Sequence, residues 1–206
     1  MEKFVIAISR EFGAGGRHVG EKLGLELGIP FYSRDIIEQA AERSGLSVNF
    51  LEQLEERASN SFLFNLVSAS YTSPSLMAQY DIPVSHKAFF AQVSVIQEMA
   101  DRGSCVIVGR CADYILRDRP NCIKVFIYAD RADRIERLKT EYSYTGNDVD
   151  QRLTKLDRGR ANYYKHYTCE NWGSVKNHDL SINTSVTGIN GAAKIIETLV
   201  KELGYV

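Results

Sequence analysis

The stretch Ser9 to Gly20, SREFGAGGRHVG, follows an apolar run and precedes an amphipathic one. A strand, a glycine-rich turn and a helix start in that order gather backbone N–H groups around one point, where the helix dipole adds partial positive charge. Phosphate is the anion such a turn accommodates. The usual loop of this kind, GxxxxGK[ST], adds a lysine for the outer phosphates and a hydroxyl for magnesium. With Gly15 as the second glycine, Arg10 stands in the first glycine's place, Gly16 in the lysine's and Arg17 in the hydroxyl's. What remains is Gly13, Ala14, Gly15 and Gly16, small residues that let backbone approach an anion, with Arg17 beyond them. Arginine carries a permanent charge and a planar donor fork, so Arg17 and Arg10 are both candidates for the absent lysine's work. His18 completes the candidate anion-facing set, although by position it reads as a surface residue of the first helical turn. A plain strand-to-helix turn is the alternative.

Two further groups are rich in arginine. VIVGRCADYILRDRP, Val106 to Pro120, carries Gly109, Arg110, Asp113, Arg117 and Arg119 behind a strand pattern. At the C-terminal end of a strand in an open α/β sheet, such residues point into the same crevice as the first loop. Arg110 and Asp113 are therefore candidate substrate contacts, while Arg117 and Arg119 read equally well as solvated charges. The third group is the densest: residues 131 to 165 hold nine lysines and arginines against six acids, on a chain of net charge −1. Arg131, Arg134 and Arg137 lie three apart on one helical face, and Arg152, Lys155, Arg158 and Arg160 follow a loop at about Ser143 to Asn147. Converging arginines on a helical hairpin suit phosphoryl transfer, where charge on the migrating group is neutralised away from water. A solvated helix laced with ion pairs is the competing reading.

The elements that must position these groups follow from periodicity. Short apolar runs rich in Val and Ile predict strands at Phe4 to Ile8, Ile29 to Tyr32, Cys105 to Val108, Ile123 to Tyr128 and Leu180 to Ile182. Between them, Val19, Leu23 and Leu27 recur every four residues ahead of Gly28 and Pro30, a helix with its stop signal. Further helices are expected at Asp35 to Arg43, Phe50 to Arg57, Ala88 to Arg102, Arg131 to Tyr142, Val149 to Tyr164 and Ile189 to Leu203. Buried strands alternating with helices predict an α/β fold, a parallel sheet with helices on both faces. From about Ser47 to Ser85 the rhythm breaks, with a Ser- and Tyr-rich passage SASYTSPS, and this stretch is expected to form an excursion, a small helical lid or a mobile loop, of a length that often covers a ligand.

At 206 residues the chain suits one domain with such an excursion. Its 44% apolar and 25% charged content is that of a soluble globular protein, and no apolar run reaches the ~18 residues that a membrane span needs. The start lacks the pattern of a secretory signal, so a cytoplasmic location is expected. Cys105, Cys111, Cys122 and Cys169 form no CxxC pair and read as buried small hydrophobes. The near-neutral charge argues against a nucleic-acid polymer as partner.

The segments ISREFGAGGRHVGEKL, IPFYSRDII, VIVGRCADYIL, DRADRIERL, KLDRGRANYY and DLSINTS, in that order, resemble the cytidylate kinase-like branch of the nucleoside monophosphate (NMP) kinases. The resemblance spans nearly the whole chain. It implies a five-stranded parallel sheet, a helical NMP lobe at about 33–90 and an arginine-rich lid at about 131–168. It further implies ATP as phosphoryl donor with Mg2+, and small nucleotides, (d)CMP first, as acceptors. Asp157, Arg158, Arg160 and Ala161 match the lid's DRxRA run, and Arg134 and Arg137 match the arginines that open it. Gly109 and Arg110 match a GRD triplet whose aspartate is here Cys111. YSRD stands where the NMP lobe opens, making Ser33 and Arg34 candidate acceptor contacts. Combined with the residue patterns, this assigns ATP to Gly13 through Arg17, the acceptor to Arg34 and Arg110, and the migrating phosphoryl to Arg137, Arg158 and Arg160. A kinase of another small molecule and a non-catalytic nucleotide-binding regulator are the alternatives.

Overall fold

The structure is a computed structural model that describes residues 3–56, 84–142, 144, 146 and 148–206. Strand β1 (Val5–Arg10) leads into α1 (Gly16–Leu27), and β2 (Phe31–Tyr32) into α2 (Arg34–Ser44) and α3 (Val48–Glu56). Helix α4 (Val84–Arg102) precedes β3 (Cys105–Val108), a short α5 (Ala112–Ile115) and β4 (Cys122–Tyr128). The hairpin of α6 (Arg131–Thr140) and α7 (Val149–Thr168) is followed by a 3-10 turn, β5 (Leu180–Asn183) and α8 (Thr184–Glu202).

The five strands form one parallel sheet in the order β2-β3-β1-β4-β5. Side chains alternate across a strand, and both faces of this sheet are covered, which is why the strands read as continuous apolar runs. Val5, Ala7, Cys105 and Ile107 face a core shared with α2, α3, α4, α5 and α7. Ile6, Ile8, Val106, Val125 and Ile127 face the other core, filled by Val19 and Leu23 of α1 and by Ala192, Ile196 and Val200 of α8. The α6–α7 hairpin has a small core of its own in Leu138, Val149 and Leu153.

The expected α/β fold is present, with shifts at its boundaries. The second strand starts late, at Phe31 instead of Ile29, because Pro30 has no N–H to donate; its carbonyl still accepts from Val106 N at 2.8 Å. The last helix begins at Thr184 instead of Ile189, since the Asn183 side chain accepts from Ser185 N and caps it, and the axis kinks at Gly188. Helix α4 starts before Ala88, and α6 stops before Tyr142. Arg57 and the SASYTSPS passage lie outside the described residues. Cys105, Cys111 and Cys122 are buried, but Cys169 is exposed at the left-handed residue that closes α7. The expectation that all four cysteines pack inside is corrected there.

Candidate active site

The candidate site residues gather at the C-terminal ends of the sheet's strands. After Arg10 the chain turns through Gly13 (φ +74°) and Gly15 (φ +78°) into α1, conformations open to glycine at little cost. A Cβ on Gly13 would lie 2.6 Å from Leu138 Cδ1, and one on Gly15 would run into Ile189. Positions 13 and 15 therefore fit these neighbours as glycines. No side chain caps α1, so its first amides, on Gly15, Gly16, Arg17 and His18, have no intrahelical acceptor, and the dipole adds to their pull on an anion.

Other elements hold this loop in shape. Thr184 Oγ1, at the start of α8, donates to Ala14 O at 2.8 Å. From α6, Arg137 Nη1 donates to Gly13 O at 2.5 Å and Arg134 Nε to Phe12 O at 2.8 Å. Asp157 of α7 accepts from Phe12 N at 2.8 Å and from Arg134 Nη2. Arg134 Nη1 also lies 3.0 Å from Glu11 Oε2. Burial raises the Glu11 carboxyl above the usual carboxylate range, against the opposing pull of Arg134 and of the Ala129 N–H.

A cleft of about 450 Å³ opens at the loop. Its walls include Gly13, Gly15, Arg10 and Arg17 from the loop, Ser33 and Arg110 from the neighbouring strand ends, and Arg160 from α7. Arg160 Nη1 donates to Arg10 O at 3.2 Å, and its Cζ lies 5.1 Å from the Phe12 ring, which is 5.8 Å from the ring of Tyr142. Arg110 follows Gly109 in a run of three left-handed residues, Gly109, Arg110 and Cys111. Two of these are not glycine, and such strain persists where the surrounding structure holds a side chain to a task.

The cleft gathers some of the residues expected from sequence and leaves others out. Arg10, Gly13, Gly15, Arg17, Ser33, Arg110 and Arg160 line it. Ala14 and Gly16 are buried beneath it, and Arg137 reaches the loop from behind through Gly13. His18 turns instead toward Glu141, 3.3 Å away. Arg34 is exposed beside Glu38 and Glu52, and Arg158 is exposed with no hydrogen-bond partner among the described residues. Asp113 is the clearest correction. It is buried away from the cleft, accepting from Tyr164 Oη at 2.9 Å and lying 3.3 Å from His178 Nε2, because the α5 turn points it into the core. The basic hairpin is also spent differently than its charge density implied. Arg131 ties Asp150 and Thr154, Arg134 ties the loop, and Arg152 lies over Tyr144. Arg117 and Arg119 make surface contacts with Tyr114 and Asp101.

Sequence reasoning missed Asn49, Glu52 and Gln53, which α3 presents to the cleft while Leu51 and Leu54 enter the core. Their spacing on an amphipathic helix was the available signal. Among the described residues, no three carboxylate, imidazole or thiol side chains gather as a metal cage. A magnesium ion carried by phosphates needs only one or two protein carboxylates, and Glu11 and Glu52 are those on the cleft wall.

A parallel sheet in this strand order, with a glycine-rich loop between β1 and α1 and an arginine-bearing hairpin after β4, is a P-loop kinase-like fold. The chain belongs to the cytidylate kinase-like family, whose model matches residues 5–186. Among solved structures it is similar to an uncharacterized protein from Eubacterium ventriosum ATCC 27560, at 24% identity and a TM-score of 0.71, over 97% of this chain and 99% of the other. It is also similar to a shikimate kinase from Bacteroides thetaiotaomicron (13% identity, TM-score 0.56, 97% and 99% covered). A gluconokinase from Sinorhizobium meliloti 1021 gives 14% identity and a TM-score of 0.52, with 98% and 97% covered. At these identities the likeness is one of fold. No curated protein sequence matches the chain. No helix among the described residues is long and apolar enough to cross a membrane.

Proposed function

We propose that the protein is a phosphotransferase that moves the γ-phosphoryl of ATP to a nucleoside monophosphate, (d)CMP first among them. The observation that carries this reading is one cleft whose wall combines a glycine-rich loop with Arg110 and Ser33 on one flank and Arg160 on another. The loop amides bind the donor's phosphates, Arg110 and Ser33 orient the acceptor's phosphate, and Asn49, Glu52 and Gln53 offer donors and acceptors to the rest of it. Arg160 neutralises charge on the migrating group, joined by Arg158 when the hairpin closes, with Arg137 fixing the loop from behind. Magnesium, when bound with ATP, would shield the charge between phosphates. No covalent intermediate is required, since positioning and charge neutralisation supply most of the rate in such transfers. In this reading 33–90 is the acceptor lobe and 131–168 the lid. The protein works as a single domain of small-molecule partners in the cytoplasm.

A second reading is a kinase of another small hydroxylated acceptor, favoured by Glu52. A carboxylate on the acceptor wall binds hydroxyl or amino groups and repels further anions. A coupled ATP-consumption assay with Mg2+ against CMP, dCMP, UMP, AMP, shikimate, gluconate and small alcohols decides. Turnover with CMP or dCMP supports the first reading, and turnover only with a non-nucleotide supports the second. ATP binding with no acceptor turned over leaves a nucleotide-binding regulator.

A further inference from the structure

The cleft holds a cation in a place where the GxxxxGK[ST] pattern has none. Arg10 ends β1 at the position of that pattern's first glycine, and Gly16 opens α1 at the position of its lysine. The two positions touch: a Cβ built on Gly16 would lie 2.6 Å from Cβ and 2.9 Å from Cγ of Arg10. The Arg10 side chain thus starts across the space that a residue at 16 would fill. Its guanidinium ends over Gly109, where an added Cβ would stand 2.7 Å from Cζ and closer still to Nη1. Gly109 has φ +86° and precedes Arg110. The arginine therefore lies along the strand ends from the phosphate loop to the acceptor flank, on the wall of the cleft, with its carbonyl held by Arg160. Arg17 is exposed, with its Nε 3.0 Å from Glu21.

We infer that Arg10 is the phosphate-binding cation of this site, exchanged with Gly16 for the missing lysine and placed between donor loop and acceptor flank. This rests on the phosphotransferase reading for its chemistry but not for its geometry. Three consequences follow from the exchange. Position 16 must lack a side chain as long as position 10 carries an arginine. Position 109 is left to glycine by its φ of +86°, and a side chain there would displace the Arg10 guanidinium. A planar fork reaching between the two halves can bind oxygens of donor and acceptor phosphates together, which a point charge on a lysine does less well.

The test measures binding of ATP with Mg2+ and of inorganic tripolyphosphate by calorimetry, with thermal melting to confirm the fold of each variant. Arg10→Gln is expected to weaken both ligands by about tenfold or more, the scale of a lost charge-assisted pair, and Arg17→Ala by clearly less. Arg10→Gly with Gly16→Lys is expected to regain affinity over Arg10→Gly alone, because the double change restores a lysine at the helix start. A folded Arg10→Gln protein with wild-type affinity, or a double variant no better than Arg10→Gly, overturns the assignment and leaves the phosphotransferase reading standing. Arg10-dependent binding without turnover of any acceptor supports the assignment and overturns that reading. A wild-type protein that binds neither ligand overturns both.

Discussion

Arg134→Met tests whether the arginine hairpin is bolted to the phosphate loop. The Arg134 side chain is 6% exposed and holds Glu11, Asp157 and the Phe12 carbonyl at once. Methionine keeps much of its apolar stem, so the loss is mainly of charge and donors. Removing one partner from a buried ion pair costs about 3–5 kcal/mol, which is a ceiling here because Glu11 and Asp157 are half-buried and keep the N–H groups of Ala129 and Phe12. At roughly 2–4 °C per kcal/mol for a chain of this size, that ceiling is a fall in Tm of at most about 20 °C. The loss also depends on pH. Burial already holds the Glu11 carboxyl above the usual range, and Arg134 is the strongest influence pulling it down. Without the arginine it rises further. A carboxyl with a raised folded value is protonated more readily in the native state, so stability falls as pH climbs from the unfolded value of 4.5 through the folded one. Differential scanning calorimetry from pH 5 to pH 8 should therefore show the variant's deficit shrinking toward the acid end. Arg131→Met, which breaks an exposed tie to Asp150 on the same helix, serves as the comparison. An Arg134→Met deficit no larger than that of Arg131→Met, or one equally deep at every pH, would refute the bolt.

Three other outcomes are expected. Gly15→Ala forces a side chain into a left-handed residue facing Ile189, and should cost about 1–2 kcal/mol from the backbone alone, read as a lower urea midpoint, with loss of ATP binding beyond it. Asp113→Ala strands Tyr164 Oη in the core beside His178, and should destabilise by about 1–3 kcal/mol in chemical denaturation. A rise in acceptor KM with stability unchanged would show instead that Asp113 contacts substrate. In a thiol titration of the folded protein, Cys169 should react fast while Cys105 and Cys122, buried and pushed up to about 12, wait for unfolding.

Much of the fold was legible because the sheet is buried on both faces. Continuous Val and Ile runs marked β1, β3 and β4, and Val19, Leu23 and Gly28 marked α1 and its stop. The site was legible where backbone conformation restricts residue type, at Gly13, Gly15 and Gly109. It was less so where side chains choose between equivalent partners. Asp113 sits behind a strand end like a substrate ligand, and only the left-handed turn at Arg110 and Cys111 sends it inward. Arg134 and Arg137 share one helical face and one spacing, yet one supports Phe12 and the other Gly13. Charge density on the hairpin gave no sign of how many arginines its own acids and rings would occupy. Asn49, Glu52 and Gln53 escaped notice because polar residues on an amphipathic helix ordinarily face water.

The bond from Thr184 to Ala14 spans 170 residues of sequence. The glycine-rich turn is synthesised well before this support for it. A growing chain could assemble β1, β3 and β4 and still carry a phosphate loop without its buttress until β5 pairs and α8 begins. The shape of the glycine-rich turn would then depend on residues made long after it, and fragments that stop short of Thr184 would carry the turn without this support even when most of their sheet is formed.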